Sequence, residues 1–297
     1  MDPTIVETVH GRANPLVDPT LSVWGWEIPV YLFLGGLAAG LMILPAALEL
    51  ARGRRPDSVW VRLGPLLAAA LLSLGMGALF LDLEHKLYVW RFYLAFKPAS
   101  PMSWGAWILV LVYPVAFLAW WDPAWLPRRA VLWTAVAAGG ALGIYTGILL
   151  GAMAARPGWN SAVLGPLFLA SGLSTGAALL LLLPLDARDR HALVRIDAVA
   201  LVAEAALLGV LLIGFASGDR TAHLAFEHLT TRNWASAFWS LVVVAGISVP
   251  LAFEALEIRR KLAFVAVAPV LVLVGGLSLR FVLVLSGQAS SFDEFPG

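Results

Sequence analysis

The stretch "WGWEIPVYLFLGGLAAGLMILPAALELA", residues 24–51, is apolar along its whole length except for Glu27 and Glu49 near its two ends. A helix needs about 20 such residues to cross the hydrocarbon core of a bilayer, so this run places the chain in a membrane. Seven further runs of comparable character follow, at 59–81, 104–121, 130–153, 161–185, 194–216, 234–256 and 262–286. The expected fold is all-α and integral to the membrane, with eight transmembrane helices. Composition agrees: the chain of 297 residues is 60% hydrophobic and only 13% charged, whereas soluble domains carry about 25% charged residues. The longest polar pieces, 1–23, 82–103 and 218–233, leave little material for a soluble domain.

Charge excludes some functions and orients the helices. A formal net charge of +1 provides no basic footprint for nucleic acid. The N-terminal tail carries Asp2, Glu7 and Asp18 against Arg12, the wrong sign for the basic start of a cleaved signal peptide, so the first helix is expected to stay. Basic residues in short loops collect on the cytoplasmic side. Arg52, Arg54, Arg55, Arg62, Arg128, Arg129, Arg188, Arg190, Arg195, Arg259, Arg260 and Lys261 fall on one side of the eight runs. The other side has Arg12, Lys86, Arg91, Lys97, Arg156, Arg220 and Arg232, and Arg280 lies within the last run. The expectation is a bacterial inner (cytoplasmic) membrane protein with both termini periplasmic.

"GLAAG" at Gly36–Gly40 returns as "GLSTG" at Gly172–Gly176, an offset of 136 residues. Each copy continues into an apolar half-helix, an Arg-rich turn ("ARGRRPD", "DARDRH") and a helix rich in Ala and Leu. Four helices per unit makes the repeat parallel, in contrast to the inverted repeats of many transporters. The expected organisation is two side-by-side four-helix bundles, residues 24–153 and 161–286, flanked by periplasmic tails 1–23 and 287–297. Small-xxx-small pairs also occur wherever membrane helices pack closely, which is the simpler account of Gly143, Gly147 and Gly151.

Several chemistries lack their residues. Zero cysteines leave no ligands for an iron–sulfur cluster and no thioether-attached haem. The five histidines, His10, His85, His191, His223 and His228, all lie in the tail or in connections, where they are not placed as axial ligands of a b-type haem inside a bundle. Motifs of membrane proteases, esterases and P-loop ATPases are absent. His223, Glu227 and His228 have one-face helical spacing, more simply an amphipathic loop helix than a metal site.

Ionisable residues within spans face a bundle interior or a wet cavity. Glu204 lies about 15 Å into the sixth run by helical rise, and Asp197 is two turns away on the same face. Two readings fit: a proton path through Asp197 and Glu204, or a protonated glutamic acid bonded to a neighbouring helix. Glu49 and Glu254, near helix ends, read as interfacial or loop-paired. Arg280 requires a carboxylate, for which Glu27, Asp82 and Glu84 sit at the expected outer level.

Between the second and third runs, "DLEHKLYVWRFYLAFKPASPMSWGAW" (82–107) concentrates Asp82, Glu84, His85, three basic groups and seven aromatics. This segment, with "WGWEIPVYLFLGGLAAG" on the first helix, "GIYTGILLG" leading to "RPGWN" after the fourth, "FWSLVVVAGISVPL" on the seventh and "RFVLVLSGQ" on the last, resembles the polysulfide reductase/NrfD-type integral membrane quinone-binding subunits over nearly the whole chain. "SPMSWG" downstream of a "DL" at a helix end is the most specific part.

The resemblance implies a membrane anchor subunit of a respiratory oxidoreductase complex. Such a subunit binds menaquinone or another quinone near the periplasmic face and holds no haem and no iron–sulfur cluster of its own. It exchanges electrons with a four-cluster ferredoxin-like subunit, which serves a molybdopterin or multihaem catalytic subunit. The family's head-group positions on the first and fourth helices fall on Tyr31 and Tyr145, although some members have a His where this chain has Tyr31 and an Asn near Ile28. Interfacial belt aromatics are the competing account of both tyrosines. Glu27 and Arg280 complete the candidate head-group set, with Asp82, Glu84 and His85 as acceptors for the protons of a reduced quinone. A secondary transporter and a purely structural anchor are the alternatives from other classes.

Overall fold

The computed structural model describes residues 24–53, 59–83, 85–94, 96–153, 156–260 and 266–290. Among them are helices and no strands. Eight helices are long and apolar enough to span a bilayer: α1 (Glu27–Arg52), α2 (Trp60–Asp82), α3 (Pro101–Trp121), α4 (Arg128–Gly151), α5 (Leu164–Leu181), α6 (Ala187–Ala216), α7 (Ala235–Arg259) and α8 (Val267–Ala289). The chain is a multi-pass integral membrane protein. Only helices satisfy every backbone donor and acceptor within one segment where no water is available. Both flanking tails expected from the sequence, 1–23 and most of 287–297, lie outside the described residues.

Local chemistry sets the helix ends. Pro101 starts α3 at its first turn, where a missing N–H costs nothing. Asp186 accepts from the Asp189 backbone N–H at 2.7 Å and caps α6, which lets that helix begin seven residues before its apolar run, through "ARDRHAL". Gly53, at φ 85°, ends α1, and Asp122 ends α3 at φ 53°, a conformation that a short polar side chain tolerates better than most. The middle of α7 departs from α-helical form: Phe238–Ser248 is a π-helix, with the Ser248 hydroxyl donating to the Val243 carbonyl at 2.8 Å. Gly246 of this segment lies so close to Gly275 of α8 that a Cβ on either would come within 2.6 Å of the other's Cα.

Helices α1 and α5 form the centre. In their apolar stretches 72% and 78% of residues are buried, against 28–56% in the other six, so these two are shielded from lipid by their neighbours. Helix α1 packs on α2, α4, α5 and α8, and α5 packs on α1, α4, α6 and α8. Where α1 and α5 cross, "GLAAG" lies on "GLSTG". A Cβ on Gly40 would stand 2.2 Å from the Gly172 carbonyl oxygen, and one on Gly176 would stand 2.7 Å from the Gly40 Cα. Without a hydrophobic drive between helices in lipid, such close backbone approach supplies the packing energy. Gly147 serves a similar end, since a Cβ there would lie 2.2 Å from the Leu164 carbonyl oxygen. A single apolar core runs through both halves of the chain.

The arginine-rich end is tied by ion pairs. Arg128 grips Glu49 through two bonds of 2.9 and 2.7 Å, joining α4 to α1. Asp189 accepts from Arg52 at 3.3 Å and from the Trp60 indole at 2.9 Å, and Arg190 pairs with Glu257 at 2.8 Å. The opposite end is latched by "RPGWN". There Trp159 donates to the Leu283 carbonyl at 3.0 Å and stacks on Trp24 at 4.9 Å, while Trp24 and Gln288 exchange bonds of 2.7 and 3.0 Å.

Gly40→Ala is expected to destabilise the protein by about 1–3 kcal/mol, the usual range for overpacking, because backbone faces the new methyl. Gly140→Ala, where a Cβ would meet open space, should change stability by less than about 0.5 kcal/mol. Thermal unfolding in detergent compares the two, and equal midpoints would show that the crossing does not constrain the fold.

Candidate functional site

Two buried polar sites stand out. The first lies at the end of the bundle that carries the 82–107 connection. The chain there makes a 3-10 turn at Lys86–Tyr88 and a short helix at Arg91–Leu94, then folds back onto the start of α3. The Lys97 N–H donates to the Ser103 hydroxyl at 3.0 Å, and the Trp104 indole donates to the Pro98 carbonyl at 2.8 Å. These bonds give "SPMSWG" its purpose: proline starts the helix, and serine and tryptophan fasten the connection over it. Beneath is a pocket of about 90 Å³ whose lining includes Tyr31, Tyr93 and Tyr145, with Met76, Met102 and Ala106 among its apolar residues.

Tyr31 and Tyr145 are 1% and 6% exposed. A buried phenol ordinarily finds a partner, yet neither is hydrogen-bonded to any of the described residues, so both hydroxyls are available to whatever fills the pocket. Tyr145 lies flat against α3 because residue 105 is glycine: a Cβ there would stand 1.8 Å from the phenol oxygen. Tyr93 was not singled out by sequence reasoning, being one aromatic among seven in its connection. Burial pushes its phenol up from the ordinary value, with Tyr113 adding to the effect, which keeps it a donor.

The other residues expected at this site are distributed differently. Asp82, at the end of α2, is within electrostatic reach of Glu27, and neither lines the pocket. His85 is exposed, its ring 6.3 Å from that of Tyr88. Glu84 lies outside the described residues.

Arg280 belongs to the second site, deep in the bundle. It is 0% exposed. One of its terminal nitrogens donates to the Ser171 hydroxyl and, at 3.1 Å, to the Gly276 carbonyl; the other donates to the Phe168 carbonyl at 3.2 Å. The guanidinium carbon lies 4.8 Å from the centre of the Phe168 ring. The carboxyl group within electrostatic reach of it is Glu204, near Ser171, with no direct nitrogen-to-oxygen contact of ion-pair length between guanidinium and carboxyl. This corrects the expectation that Glu27, Asp82 or Glu84 would supply the partner. The reason is directional, since helical side chains lean toward their own N-terminus, and for α8 that carries Arg280 inward. Gly36 and Gly276 leave the room: a Cβ on Gly36 would lie 3.1 Å from the guanidinium.

On the arginine-rich side of this pair, Asp197 is 0% exposed and accepts from the Ser174 hydroxyl at 2.6 Å. Glu254, 2% exposed, is close enough to interact with it. The second Asp197 oxygen and both Glu254 oxygens lack a partner within hydrogen-bond distance among the described residues. The expectation that Glu254 is interfacial or loop-paired therefore fails, while Glu49 does pair with Arg128 as that reading has it. Ser171 and Ser174, three apart on α5, share a face, a spacing that could have signalled a polar seam. Among the described residues no group of three or more His, Cys, Asp or Glu is placed to hold a metal, and Glu227 pairs with Arg232 at 2.6 Å.

A family model described as polysulphide reductase, NrfD, matches residues 14–291. The chain is 32% identical over 301 residues to the C subunit of polysulfide reductase from Wolinella succinogenes, covering 90% of this chain and 94% of that subunit. It is 29% identical over 306 residues to protein NrfD of Escherichia coli, covering 90% and 95%. Against an NrfD homolog of Haemophilus influenzae it is 26% identical over 317 residues, covering 92% and 97%.

The buried cation makes a specific thermodynamic demand. Arg280→Met should destabilise by about 3–5 kcal/mol, since it removes the guanidinium's hydrogen bonds to Ser171, Gly276 and Phe168 and a cation within electrostatic reach of the buried Glu204 carboxyl. Adding Glu204→Gln should recover most of that loss. A double-mutant cycle on unfolding in detergent measures it, and additive single effects would mean that the two groups do not interact.

Proposed function

The chain belongs to the polysulphide reductase, NrfD family, and on that premise we propose that it is the quinone-binding membrane subunit of an oxidoreductase complex. The observation that carries this reading is the pair of buried, unpartnered phenols, Tyr31 and Tyr145, on one apolar pocket. A quinone needs what this pocket offers, an apolar slot for a flat ring and O–H donors for its carbonyl oxygens. Tyr31 and Tyr145 serve as donors to the head group, with Tyr93 a third. Asp82 and His85 at that end of the bundle, with Glu84 between them in sequence, take up the protons that a reduced quinone must release. Glu27, beside Asp82, belongs to that proton-accepting group more naturally than to the head-group contacts.

The name of the Wolinella relative, a lettered subunit of a reductase, suggests an assembly of several polypeptides. With no cysteines, this chain needs a partner to accept or supply electrons, and a four-cluster ferredoxin-like iron–sulfur subunit serving a molybdopterin or multihaem catalytic subunit fits that need. The connection above the pocket has the character of a landing surface for it. Leu87, Tyr88, Trp90 and Trp104 are all half exposed or more, and Arg91 lies over the Tyr88 ring at 4.5 Å, a mixture of aromatics and Arg found at interfaces. The distribution of basic loop residues favours placing this face, and both termini, in the periplasm of a bacterial inner membrane. The two halves, 24–153 and 161–286, are proposed as parallel copies of one four-helix unit, with the helix pairings α1·α2, α1·α4 and α3·α4 matched by α5·α6, α5·α8 and α7·α8.

Asp197 and Glu204 are proposed to carry protons from the arginine-rich half toward the bundle centre, with Glu254 as the first member of the series. Two carboxyl groups removed from water side by side are stable when they share a proton, and Ser174 bonds Asp197 to α5 while Ser171 lies near Glu204. Glu204→Gln keeps the shape and removes titration. It should reduce proton uptake by the reconstituted complex during quinone turnover, and unchanged uptake and rate would make the residue structural.

The quinone reading is tested on the assembled complex with Tyr31→Phe, Tyr145→Phe and Asp82→Asn. Each lost neutral hydrogen bond is worth about 0.5–1.5 kcal/mol, so each phenylalanine variant should weaken quinone affinity by about tenfold or less. Asp82→Asn should slow turnover with affinity retained. Wild-type affinity and turnover in all three variants would remove the site.

A further inference from the structure

We propose that a polar pocket between the arginine-rich ends of α1, α2, α3 and α4 binds the head group of a zwitterionic phospholipid that carries a primary ammonium, as phosphatidylethanolamine does. Arg62 holds the phosphate, and Asp122 accepts from the ammonium. The pocket has a volume of about 280 Å³, and its lining includes Glu49, Arg62, Trp120, Trp121, Asp122 and Arg128. It shares no residue with the pocket beneath the 82–107 connection and stands apart from the quinone reading and from the proton path.

Its level in the bilayer follows from where the helices end. Glu49 is three residues before the end of α1 and Arg62 two residues after the start of α2, while Trp121 ends α3 and Arg128 begins α4. At about 1.5 Å per residue each is within one turn of its helix end, where hydrocarbon gives way to lipid head groups. Trp120 and Trp121 are 38% and 54% exposed, and Trp125 beyond them is 70% exposed. Exposed indoles of this kind mark the boundary between acyl chains and head groups. A phospholipid lying along α3 therefore brings its head group to the level of the pocket.

Charge selects the head group. The lining carries two arginines and two carboxylates, so it has no net charge when all four are ionised. Arg128 is engaged within the protein, donating to the two Glu49 oxygens at 2.9 and 2.7 Å and to the Ala119 carbonyl at 2.7 Å. Arg62 is exposed and has neither an ion pair nor a hydrogen bond among the described residues. Its guanidinium matches a phosphodiester, which it can grip with paired N–H donors. A carboxylate offers about four acceptor positions, so Asp122, 3.6 Å from Arg128, can take an ammonium in addition to the contacts it makes. An anionic head group would satisfy Arg62 but set a second negative charge against Asp122 and Glu49. A phosphate with an ammonium two carbons away matches both signs. A trimethylated choline has no N–H to give the carboxylate, which is why the primary ammonium is specified.

The test uses the full chain, purified in detergent, stripped of lipid and titrated with phosphatidylethanolamine, phosphatidylcholine or phosphatidylglycerol of the same acyl chains. Native mass spectrometry counts the lipid retained, and thermal unfolding reads the stabilisation that binding confers. Phosphatidylethanolamine should be retained in preference to the other two and should raise the unfolding midpoint the most. Arg62→Gln, at an exposed position, and Asp122→Asn, which keeps a residue type tolerant of the φ of 53° there, should each weaken its retention by about tenfold, the scale of a charge-assisted hydrogen bond. Arg129→Gln, exposed but not on the pocket, should leave retention unchanged. Equal retention of the choline lipid, or preference for the glycerol lipid, would overturn the proposal without recourse to any variant. A loss in Arg62→Gln with none in Asp122→Asn would reduce the site to a phosphate contact and overturn the zwitterion. An equal loss in Arg129→Gln would assign binding to general surface charge and overturn the pocket.

Discussion

The crossing of α1 and α5 is the constraint from which the rest follows. Gly36 and Gly40 on one helix meet Gly172 and Gly176 on the other with main chain against main chain, which brings the two halves of the chain into one core instead of leaving them separated by side chains. The same crossing creates the place where a charge can be buried. Gly36, beside Gly172, leaves space that the Arg280 guanidinium occupies, and the α5 carbonyl of Phe168 and hydroxyl of Ser171 supply acceptors there. An arginine at this depth costs several kcal/mol unless it is compensated, so the acceptors of Ser171, Gly276 and Phe168 answer a need set by the packing, with Glu204 within electrostatic reach.

The two polar sites use different physics. Around Tyr31 and Tyr145 there are few polar atoms, each with an unused hydrogen-bonding capacity, and the walls are apolar. That combination suits a neutral planar ligand, because a charged one would be desolvated without compensation. Around Asp197, Glu204, Glu254 and Arg280 the polar groups gather on α5, α6, α7 and α8, each of the four nearly or fully buried. A site of that kind suits holding protons. The division agrees with a subunit in which ring chemistry takes place at one membrane face and any proton traffic runs through the interior.

Hydropathy made the spans legible to within a few residues, because a bilayer tolerates few exceptions to an apolar run. The largest boundary error, at α6, has a definite cause. The turns before Val194 are charged and so invisible to hydropathy, but Asp186 caps them and ion pairs to Arg52 and Glu257 sustain them. Tyr31 and Tyr145 came from the positions that the family resemblance implies, and only their similar depth follows from helical rise. Three features could not be read in this way. The Arg280 to Glu204 pairing depends on which helices touch and on the inward lean of side chains. The π-helical course of Phe238–Ser248 leaves no mark in an apolar run, although Gly246 within it packs on Gly275. Glu254, about four turns along α7 from Trp239, sits near a helix end in sequence but faces inward because α7 packs on α6 there.

Gly105 shows why motif specificity and site geometry coincide in the 82–107 connection. A pocket at this level of the bundle must be closed over on the side of the connection to stay apolar. The connection supplies the closure, since its backbone is held to Ser103 and Trp104 by bonds that only a polar and an indole side chain at those places can make. The room for Tyr145 cannot come from the same side chains, because each of them covers surface. It requires a residue with no side chain, one turn inside the helix, where a Cβ would overlap the phenol. Proline thus begins the helix, methionine walls the pocket, serine and tryptophan fasten the lid, and glycine makes room for Tyr145. Altering the spacing by one residue would rotate position 105 by about 100°, away from Tyr145, and bring a side chain against the phenol in its place.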